Sequence, residues 1–264
     1  MNLLLLVAAM ATANTPTREL RVCADPNNLP FSNSAREGFE NKLVDLVASE
    51  LHAKVTYTWR PQRRGNVRET LNAGQCDLIP GIGSSLEMLG TTRPYYRSTY
   101  VMVTRPGLAI ASFDDPKLKD LRIGVQMIGD DFSNTPPAHA LTRRGLIDNI
   151  RGYMIYGDYG QPNPPARILH ALAAGEIDLA IVWGPLAGYF APRQDVPLKI
   201  VPVLPQVDLP FLPMVYDIAM GVRRDDPLLM AEVQEILGRR RAEVEAILDE
   251  YGVPRVGPRR IPSE

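Results

Sequence analysis

The chain repeats three short patterns, each displaced by the same interval of about a hundred residues. That interval is roughly the length of one small domain. The repeat therefore predicts two similar α/β lobes in one chain, with a cleft between them where a ligand commonly binds. The repeated windows are LRV at 20–22 and LRI at 121–123, FSNS at 31–34 and FSNT at 132–135, and LNAGQCDL at 71–78 and LAAGEIDL at 172–179.

Length and charge limit the classes of protein to consider. A chain of 264 residues with 45% apolar and 22% charged residues can form one large or two ordinary domains with a hydrophobic core. The formal net charge of −1 gives no electrostatic reason to expect nucleic acid or an acidic membrane as a partner. We therefore expect a globular protein whose partners are small molecules or other proteins.

The N-terminal residues resemble a secretory signal. An apolar run at 3–10 precedes Ala11-Thr12-Ala13, which fits the small-x-small pattern of a signal-peptidase site. The run is too short to span a bilayer, and no later stretch approaches that length. The sequence thus predicts a signal peptide at 1–13 and a periplasmic protein, although no Lys or Arg precedes Arg18 as an ordinary signal would require.

The first lobe is predicted from alternating strand and helix patterns. Strands are expected at 20–24, 54–59 and 76–80, with a helix at 38–51 and a second helix that ends at Gly74. This order indicates parallel pairing with right-handed crossovers. The longer helix carries apolar residues at helical spacing on one face, namely Phe39, Leu43, Leu46, Val47 and Leu51.

The second lobe repeats this scheme, with strands at 121–125 and 178–183 and helices at 138–149 and 166–174. Strands at 100–104 and 215–222 are predicted to connect the lobes as a two-strand hinge, and Asp225-Asp226-Pro227 to start the terminal helices. We expect lobe 1 at 18–105 plus 214–264 and lobe 2 at 106–213. The fold class is α/β, with two lobes and an interlobe cleft.

Two cysteines lie in predicted strands of the first lobe. In an exported protein, Cys23 and Cys76 favour one disulfide, which would close a loop of ~50 residues and contribute ~4 kcal/mol. Two buried free thiols are the alternative. Neither cysteine has a second ligand at metal-binding spacing, so we expect no metal site.

No catalytic pattern is evident. The three histidines are far apart, and the nucleophile-elbow, phosphate-loop and HExxH motifs are missing. The Gly81-x-Gly83 pattern lacks the third glycine of a dinucleotide site. We expect neither catalytic residues nor a cofactor.

Residues at the carboxyl ends of the predicted strands are the candidates for binding, together with aromatic and Arg residues next to the outgoing hinge strand. Each taken singly fits packing or a surface turn equally well, but as a set they converge on one cleft. They are Asn27, Asn28, Phe31, Trp59, Arg63, Gly81, Arg93, Tyr95, Tyr96, Arg97, Gln126 and Trp183.

From 18 to 250 the order of elements resembles the amino-acid-binding branch of the type II periplasmic solute-binding proteins, including Pro94-Tyr95-Tyr96 and AGEID at 174–178. Members usually carry an Arg before the Pro-Tyr that binds the ligand's α-carboxylate, but here SSLE occupies 84–87. They also place an amine-binding Asp where this chain has Trp183. Because a zwitterion without charge partners is costly to desolvate, amino acids should bind poorly.

Four longer strings resemble the J proteins (MxaJ/XoxJ type) of methanol dehydrogenase operons. They are VCADPNNLPFSN at 22–33, AGQCD at 73–77, TRPYYRS at 92–98 and VWGPLAGYF at 182–190. The resemblance implies a non-catalytic, monomeric accessory protein acting on a periplasmic quinoprotein (PQQ) methanol dehydrogenase, with its c-type cytochrome as a further partner. Both cysteines fall within these strings, which supports the disulfide.

Two other functions remain open from the sequence. A solute receptor of an ABC importer would bind one small polar solute. A periplasmic enzyme such as a dehydratase would need an acid/base pair in the cleft, and Asp25, Glu87 and Asp130 are its candidates.

Overall fold

A computed structural model describes residues 18–63, 65–128, 134–155 and 159–257. Within these ranges, ten strands form one mixed sheet that runs through both lobes. The nine longer strands are β1 Arg18–Ala24, β2 Ala53–Trp59, β3 Leu78–Gly83, β4 Tyr96–Thr104, β5 Ile123–Met127, β6 Ile150–Met154, β7 Leu179–Trp183, β8 Lys199–Pro202 and β9 Val215–Val222. The helices are α1 Phe39–Glu50, α2 Asn66–Glu69, α3 Pro136–Arg143, α4 Arg167–Ala173, α5 Gly184–Phe190, α6 Pro227–Arg239 and α7 Arg241–Glu250. The predicted signal peptide at 1–13 lies outside the described residues.

The sheet order is β2-β1-β3-β9-β4-β7-β5-β6, and β8 pairs with β4. In the first lobe, β1 lies between β2 and β3 and is parallel to both. In the second lobe, β5 lies between β6 and β7 and is again parallel to both. Each lobe therefore has the same parallel three-strand unit, as the repeated windows predict.

The core of the first lobe forms where α1, α6 and α7 cover the sheet. Phe39, Leu43 and Val47 are fully buried on α1 and pack with Val22 and Leu248. These residues confirm the apolar face predicted from helical spacing, although Leu46 is only partly buried. Burial of each such side chain contributes about 2 kcal/mol, which offsets the conformational entropy lost on ordering the helix.

Strands β4 and β9 form the hinge. Tyr96 and Thr99 of β4 pair with Ile218 and Val215 of β9. Beyond this shared segment, β4 pairs with β7 and β8 in the second lobe, whereas β9 pairs with β3 in the first. The predicted two-lobe α/β fold with a two-strand hinge is confirmed, and the exact division at 105/106 and 213/214 stays a prediction.

Cys23 and Cys76 form the disulfide that the sequence predicted, with their Cα atoms 5.6 Å apart. The bridge joins β1 to the turn before β3 and packs in a small apolar cluster with Leu71, Ile79 and Leu89. It lies in the first lobe and makes no contribution to the cavity described below.

Two helices end well before their predicted ends, and a third helix was not predicted. Helix α3 ends at Arg143, six residues before the predicted end at 149, because Gly145 reverses the chain with φ +72°. Helix α2 has four residues, because Thr70 leaves the helical conformation. Helix α5 was not predicted, although Pro185 directly after Trp183-Gly184 is a typical signal of a helix start.

The first residues of the C-terminal tail pack on the hinge. The Ser98 hydroxyl donates to the Pro254 carbonyl at 2.6 Å, and the Val256 N–H donates to the Arg97 carbonyl at 3.1 Å. Gly188 of α5 approaches Gly252 so closely that a β-carbon at Gly188 would lie 1.8 Å from the Gly252 carbonyl oxygen. The tail thus joins the terminal helices of the first lobe to α5 of the second.

Candidate functional site

A cavity of about 340 Å³ lies between the lobes, beside the hinge strands. Its lining comes from the loop after β1, the start of α1, the end of β3, both hinge strands and the second-lobe strands β5 and β7. The lining residues are Asn28, Phe31, Glu40, Gln62, Gly81, Ile82, Gly83, Tyr96, Tyr100, Gln126, Ile155, Pro165, Trp183, Leu186, Tyr216 and Ile218.

Aromatic rings form much of the wall. The centre of the Trp183 ring lies 5.3 Å from that of Tyr100 and 5.9 Å from that of Tyr216, and both pairs pack edge to face. These three residues come from the adjacent strands β7, β4 and β9, so backbone pairing fixes their spacing. The backbone N–H of Trp183 donates to Gln126 Oε1 at 2.8 Å, which holds the predicted residue Gln126 at the same wall. Edge-to-face packing of this kind makes a stiff apolar surface.

Glu40 places a carboxyl group in the lining of the same cavity. It is the second residue of α1 and only 3% exposed. Its Oε2 atom is buried and has no hydrogen-bond partner within the described residues. Burial, with a smaller contribution from nearby Asp25, raises the pKa of Glu40 to about 8. Gly81 leaves room for this carboxyl group, since a β-carbon there would lie 1.9 Å from Glu40 Oε1 and the Glu40 side chain would have to shift.

Asp25 uses its carboxylate to fix the loops around the cavity. It accepts hydrogen bonds from the Asn27 N–H at 2.9 Å and the Gln62 N–H at 2.8 Å, both in the first lobe. It also accepts from the Tyr159 hydroxyl at 2.7 Å, across the cleft. This buried acid is therefore a structural residue that joins the two lobes.

Two of the predicted site residues contribute to the same interlobe contact instead of lining the cavity. Asn27 Nδ2 donates to the Gln161 carbonyl at 2.8 Å, and Asn27 Oδ1 accepts from the Asn163 N–H at 3.3 Å. The guanidinium of Arg63 lies 5.6 Å from the centre of the Tyr159 ring. We call this set, Asp25, Asn27, Arg63 and 159–163, the interlobe latch.

Three predicted residues near the hinge face away from the cavity. Side chains alternate along a strand, so when Tyr96 lines the cavity its neighbours point elsewhere. The Tyr95 hydroxyl donates to the Pro80 carbonyl at 2.9 Å, and Arg97 pairs with Asp217 at 2.7 Å. Arg93 donates its backbone N–H to Gln234 on α6. The structure therefore places these three residues outside the lining of the described cavity, and their part in binding stays a prediction.

Trp59 is also outside the cavity, because β2 is the edge strand of the first lobe. Its ring stacks on Tyr57 at 4.4 Å with an interplanar angle of 5°. The predicted residues that the structure does bring together around the cavity are Asn28, Phe31, Gly81, Tyr96, Gln126 and Trp183.

Sequence reasoning missed several lining residues for which a signal exists. Tyr100 lies four residues after Tyr96 in a strand, and this spacing places both on the same face. Glu40 lies three and four residues before buried Leu43 and Val44, so helical spacing assigns this acid to the buried face. Of the predicted catalytic candidates, Glu87 is exposed and outside the cavity, and Asp130 lies outside the described residues.

The described lining contains no Lys, Arg or His. The resemblance to amino-acid receptors implies a carboxylate-binding Arg at 84–87 and an amine-binding Asp at 183. In the structure, 84–87 does not contribute to the lining, and residue 183 is a Trp that does. The two residues that pair with an amino-acid ligand in that branch are therefore missing from the described lining, whose one acid is Glu40. In the described residues, no helix is long and apolar enough to cross a membrane, and no group of three His, Cys, Asp or Glu could hold a metal ion.

The two lobes, the two-strand hinge and the cavity beside it define a binding protein of the periplasmic solute-binding class. The chain belongs to the bacterial extracellular solute-binding proteins, family 3, whose family model matches residues 20–254. This match covers both lobes and the hinge.

Individual relatives confirm the resemblance to the J proteins. The chain is 31% identical over 260 residues to Protein MoxJ of Methylorubrum extorquens, which covers 93% of this chain and 84% of that protein. The crystal structure of the periplasmic binding protein XoxJ from Methylobacterium extorquens AM1 is 39% identical, with a TM-score of 0.73 over 90% of this chain and 100% of that chain. MxaJ from Methlophaga aminisulfidivorans MPT is 25% identical, with a TM-score of 0.75 and the same coverage.

Proposed function

We propose that the protein is a non-catalytic periplasmic accessory protein of a quinoprotein (PQQ-dependent) methanol dehydrogenase and that it assists activation or maturation of this enzyme. Support comes from the similarity to MoxJ, XoxJ and MxaJ along nearly the whole described chain. In this proposal the protein acts as a monomer without a cofactor of its own, after removal of 1–13. The c-type cytochrome that accepts electrons from the dehydrogenase is a further candidate partner.

The observation that carries the proposal is the composition of the cavity wall. Tyr100, Trp183 and Tyr216 form an aromatic surface, and no basic side chain is available among the described lining residues for the carboxylate of an amino acid. Aromatic residues in a concave site are typical anchors for a protein segment. We infer that the cleft receives a segment of the dehydrogenase.

The test is binding of the purified protein to the apo-form of the quinoprotein methanol dehydrogenase of its own source organism, together with the effect on dehydrogenase activity. We expect measurable affinity and an increased rate of activation. Trp183→Ala should weaken binding at least tenfold, or about 1.4 kcal/mol, because it removes the centre of the aromatic wall. The matched control is Phe211→Ala, an aromatic residue 89% exposed at the tip of the hairpin 207–213.

Two outcomes contradict the proposal. If the protein neither binds the dehydrogenase nor changes its activity, the accessory function is wrong. If Phe211→Ala weakens binding and Trp183→Ala does not, the dehydrogenase contacts the hairpin, and the cleft is not its docking site. Neighbouring genes give an independent check, since a quinoprotein dehydrogenase and a c-type cytochrome should lie next to this gene.

A solute receptor of an ABC importer is the second candidate, because the family and the cavity between the lobes both suit a small ligand. It predicts binding at micromolar or better affinity, with thermal stabilisation by mass action. A melt screen against a broad set of metabolites tests it, and no shift would remove this candidate. The enzyme hypothesis is tested by Asp25→Asn and Glu87→Gln. In the structure, the carboxylate of Asp25 already accepts three hydrogen bonds from the protein.

A further inference from the structure

Glu40 has a buried carboxyl group that none of these functions uses. It is 3% exposed, it lines the cavity, and its Oε2 atom lacks a partner within the described residues. A buried acceptor without a partner costs about 1–3 kcal/mol. A protein that retains such a group in a ligand cavity commonly completes its hydrogen bonding with the ligand.

The groups that face Glu40 are all acids or neutral. Asp25 approaches from the loop after β1. The phenol of Tyr96 approaches from the start of β4, and that of Tyr95 from the residue before this strand. On the β3 side the neighbour is Gly81, which has no side chain. No described base lines the cavity, so nothing in the described protein supplies a counterion to an ionised Glu40. The missing partner of the ionised carboxylate is therefore a cation or a strong hydrogen-bond donor.

The rest of the wall fits the carbon skeleton of such a cation. Five aromatic residues line the same cavity as Glu40, namely Phe31, Tyr96, Tyr100, Trp183 and Tyr216. Aromatic faces attract an ammonium group and pack against the alkyl or aryl carbons attached to it. A volume of about 340 Å³ is enough for an amine of roughly ten heavy atoms or for one long side chain.

We propose that the cleft contains a subsite for an alkylammonium group, in which the Glu40 carboxylate accepts hydrogen bonds from the ammonium and the aromatic wall encloses the attached carbons. The ammonium can belong to a free primary amine or to a lysine side chain of the docked dehydrogenase segment. Only the second source rests on the proposed function.

Binding at this subsite is linked to loss of a proton. Because the pKa of Glu40 in the empty cleft is about 8, the carboxyl is protonated at neutral pH, and the ammonium binds its ionised form. Alkylamines stay protonated to about pH 10. The affinity should therefore rise about tenfold from pH 7 to pH 9, and proton release should accompany binding at pH 7.

The first experiment uses 2-phenylethylammonium chloride as the probe and 2-phenylethanol as its neutral analogue. Calorimetry at pH 7 in two buffers of different ionisation enthalpy measures the proton released by the unmodified protein. We expect the amine to bind at least tenfold more tightly than the alcohol and to release close to one proton. Equal affinity for the two probes, or no proton release, would overturn the subsite.

The second experiment uses Glu40→Gln, which keeps the volume and removes the charge. It should lower the affinity for the amine at pH 9 at least tenfold and leave that for the alcohol unchanged. Glu19→Gln, at the exposed start of β1, is the matched control and should change neither. If Glu40→Gln binds the amine as the unmodified protein does, the assignment of Glu40 is wrong. The calorimetric proton release stands as an independent test if this variant folds poorly.

Binding of the dehydrogenase to the same variants separates the two sources. If Glu40→Gln weakens both amine and dehydrogenase binding, the subsite takes a lysine of the partner. If it weakens amine binding alone, the subsite takes a free amine. If amines bind with Glu40 dependence and the dehydrogenase does not bind at all, the inference holds and the proposed function fails. If the dehydrogenase binds and amines do not, the proposed function holds and this inference fails.

Discussion

Arg122 and Asp178 are joined through both backbone and side chain. The N–H and Nε of Arg122 donate to Asp178 Oδ2 at 3.0 and 2.9 Å, and Nη2 donates to Oδ1 at 2.7 Å. Arg21 and Asp77 make the same contacts in the first lobe, at 3.2, 2.9 and 2.5 Å. Each pair ties the first strand of its lobe to the start of the third. The repeated sequence windows thus record a duplicated structural contact rather than a duplicated ligand site.

This contact predicts a loss of stability at acid pH. The hydrogen bonds from Arg122 lower the pKa of Asp178 to about 2. A carboxyl group whose pKa is lower in the folded protein than in the unfolded chain stabilises the fold. This stabilisation is complete above the unfolded pKa near 3.9 and is lost as pH falls towards 2. We expect Asp178→Asn to lower the free energy of unfolding by about 2 kcal/mol at pH 7 and by much less at pH 2.5, measured by urea denaturation.

The control for this variant is Asp195→Asn, at an exposed position of the same lobe. It should change the free energy of unfolding by less than about 0.5 kcal/mol at either pH. An equal effect of the two variants at pH 7 would show that the Arg122 contact does not stabilise the lobe.

Glu40 predicts a pH dependence of opposite sign. Its pKa is about 8 in the folded protein and near 4.3 in the unfolded chain. At a pH between these two values, the folded protein therefore keeps a proton on Glu40 that the unfolded chain has lost. Stability should therefore fall as pH rises from 5 to 8, by up to about 1.4 kcal/mol per pH unit from this group, and level off above 8. Urea denaturation of the ligand-free protein measures this slope.

Glu40→Gln should remove that slope, because Gln has no proton to release in this range. Asp178 does not interfere, since its titration is complete below pH 5. If the unmodified protein and Glu40→Gln show the same slope between pH 5 and 8, the carboxyl of Glu40 is not protonated in the folded state.

The Asp25–Tyr159 hydrogen bond predicts how the lobes are held together. Tyr159→Phe removes the 2.7 Å bond to a buried carboxylate, so the contact between the lobes should weaken by about 1–2 kcal/mol. We expect a larger mean separation of the lobes, measured by spin labels on exposed positions of each lobe. Tyr57→Phe removes a hydrogen bond with Asn41 inside the first lobe and should leave the separation unchanged. An unchanged distance in Tyr159→Phe would show that other contacts hold the lobes.

The fold was largely predictable because the repeat, the apolar spacing of α1 and the strand order are all local patterns. Half of the predicted cleft residues line the cavity, and two physical effects keep three of the others away from it. Strand alternation turns Tyr95 and Arg97 away from Tyr96, and the edge position of β2 keeps Trp59 out of the site. The latch formed by Asn27 and Arg63 depends on contacts with 159–163, more than ninety residues away, which no local pattern reveals.

The contact between Gly188 and Gly252 predicts that the C-terminal tail stabilises the whole fold. A β-carbon at Gly188 would lie 1.8 Å from the Gly252 carbonyl oxygen, and backbone on both sides limits any adjustment. Gly188→Ala should therefore lower the free energy of unfolding by about 2–4 kcal/mol, because it forces apart the stacked rings of Tyr189 and Tyr251. The higher helix propensity of alanine offsets only a small part of this loss. Gly238→Ala in α6 is the matched control, because nothing lies within 4 Å of its β-carbon position, and it should stabilise by up to about 1 kcal/mol. Opposite signs for the two variants in the same denaturation assay are expected, and stabilisation by Gly188→Ala would show that the tail does not pack on α5.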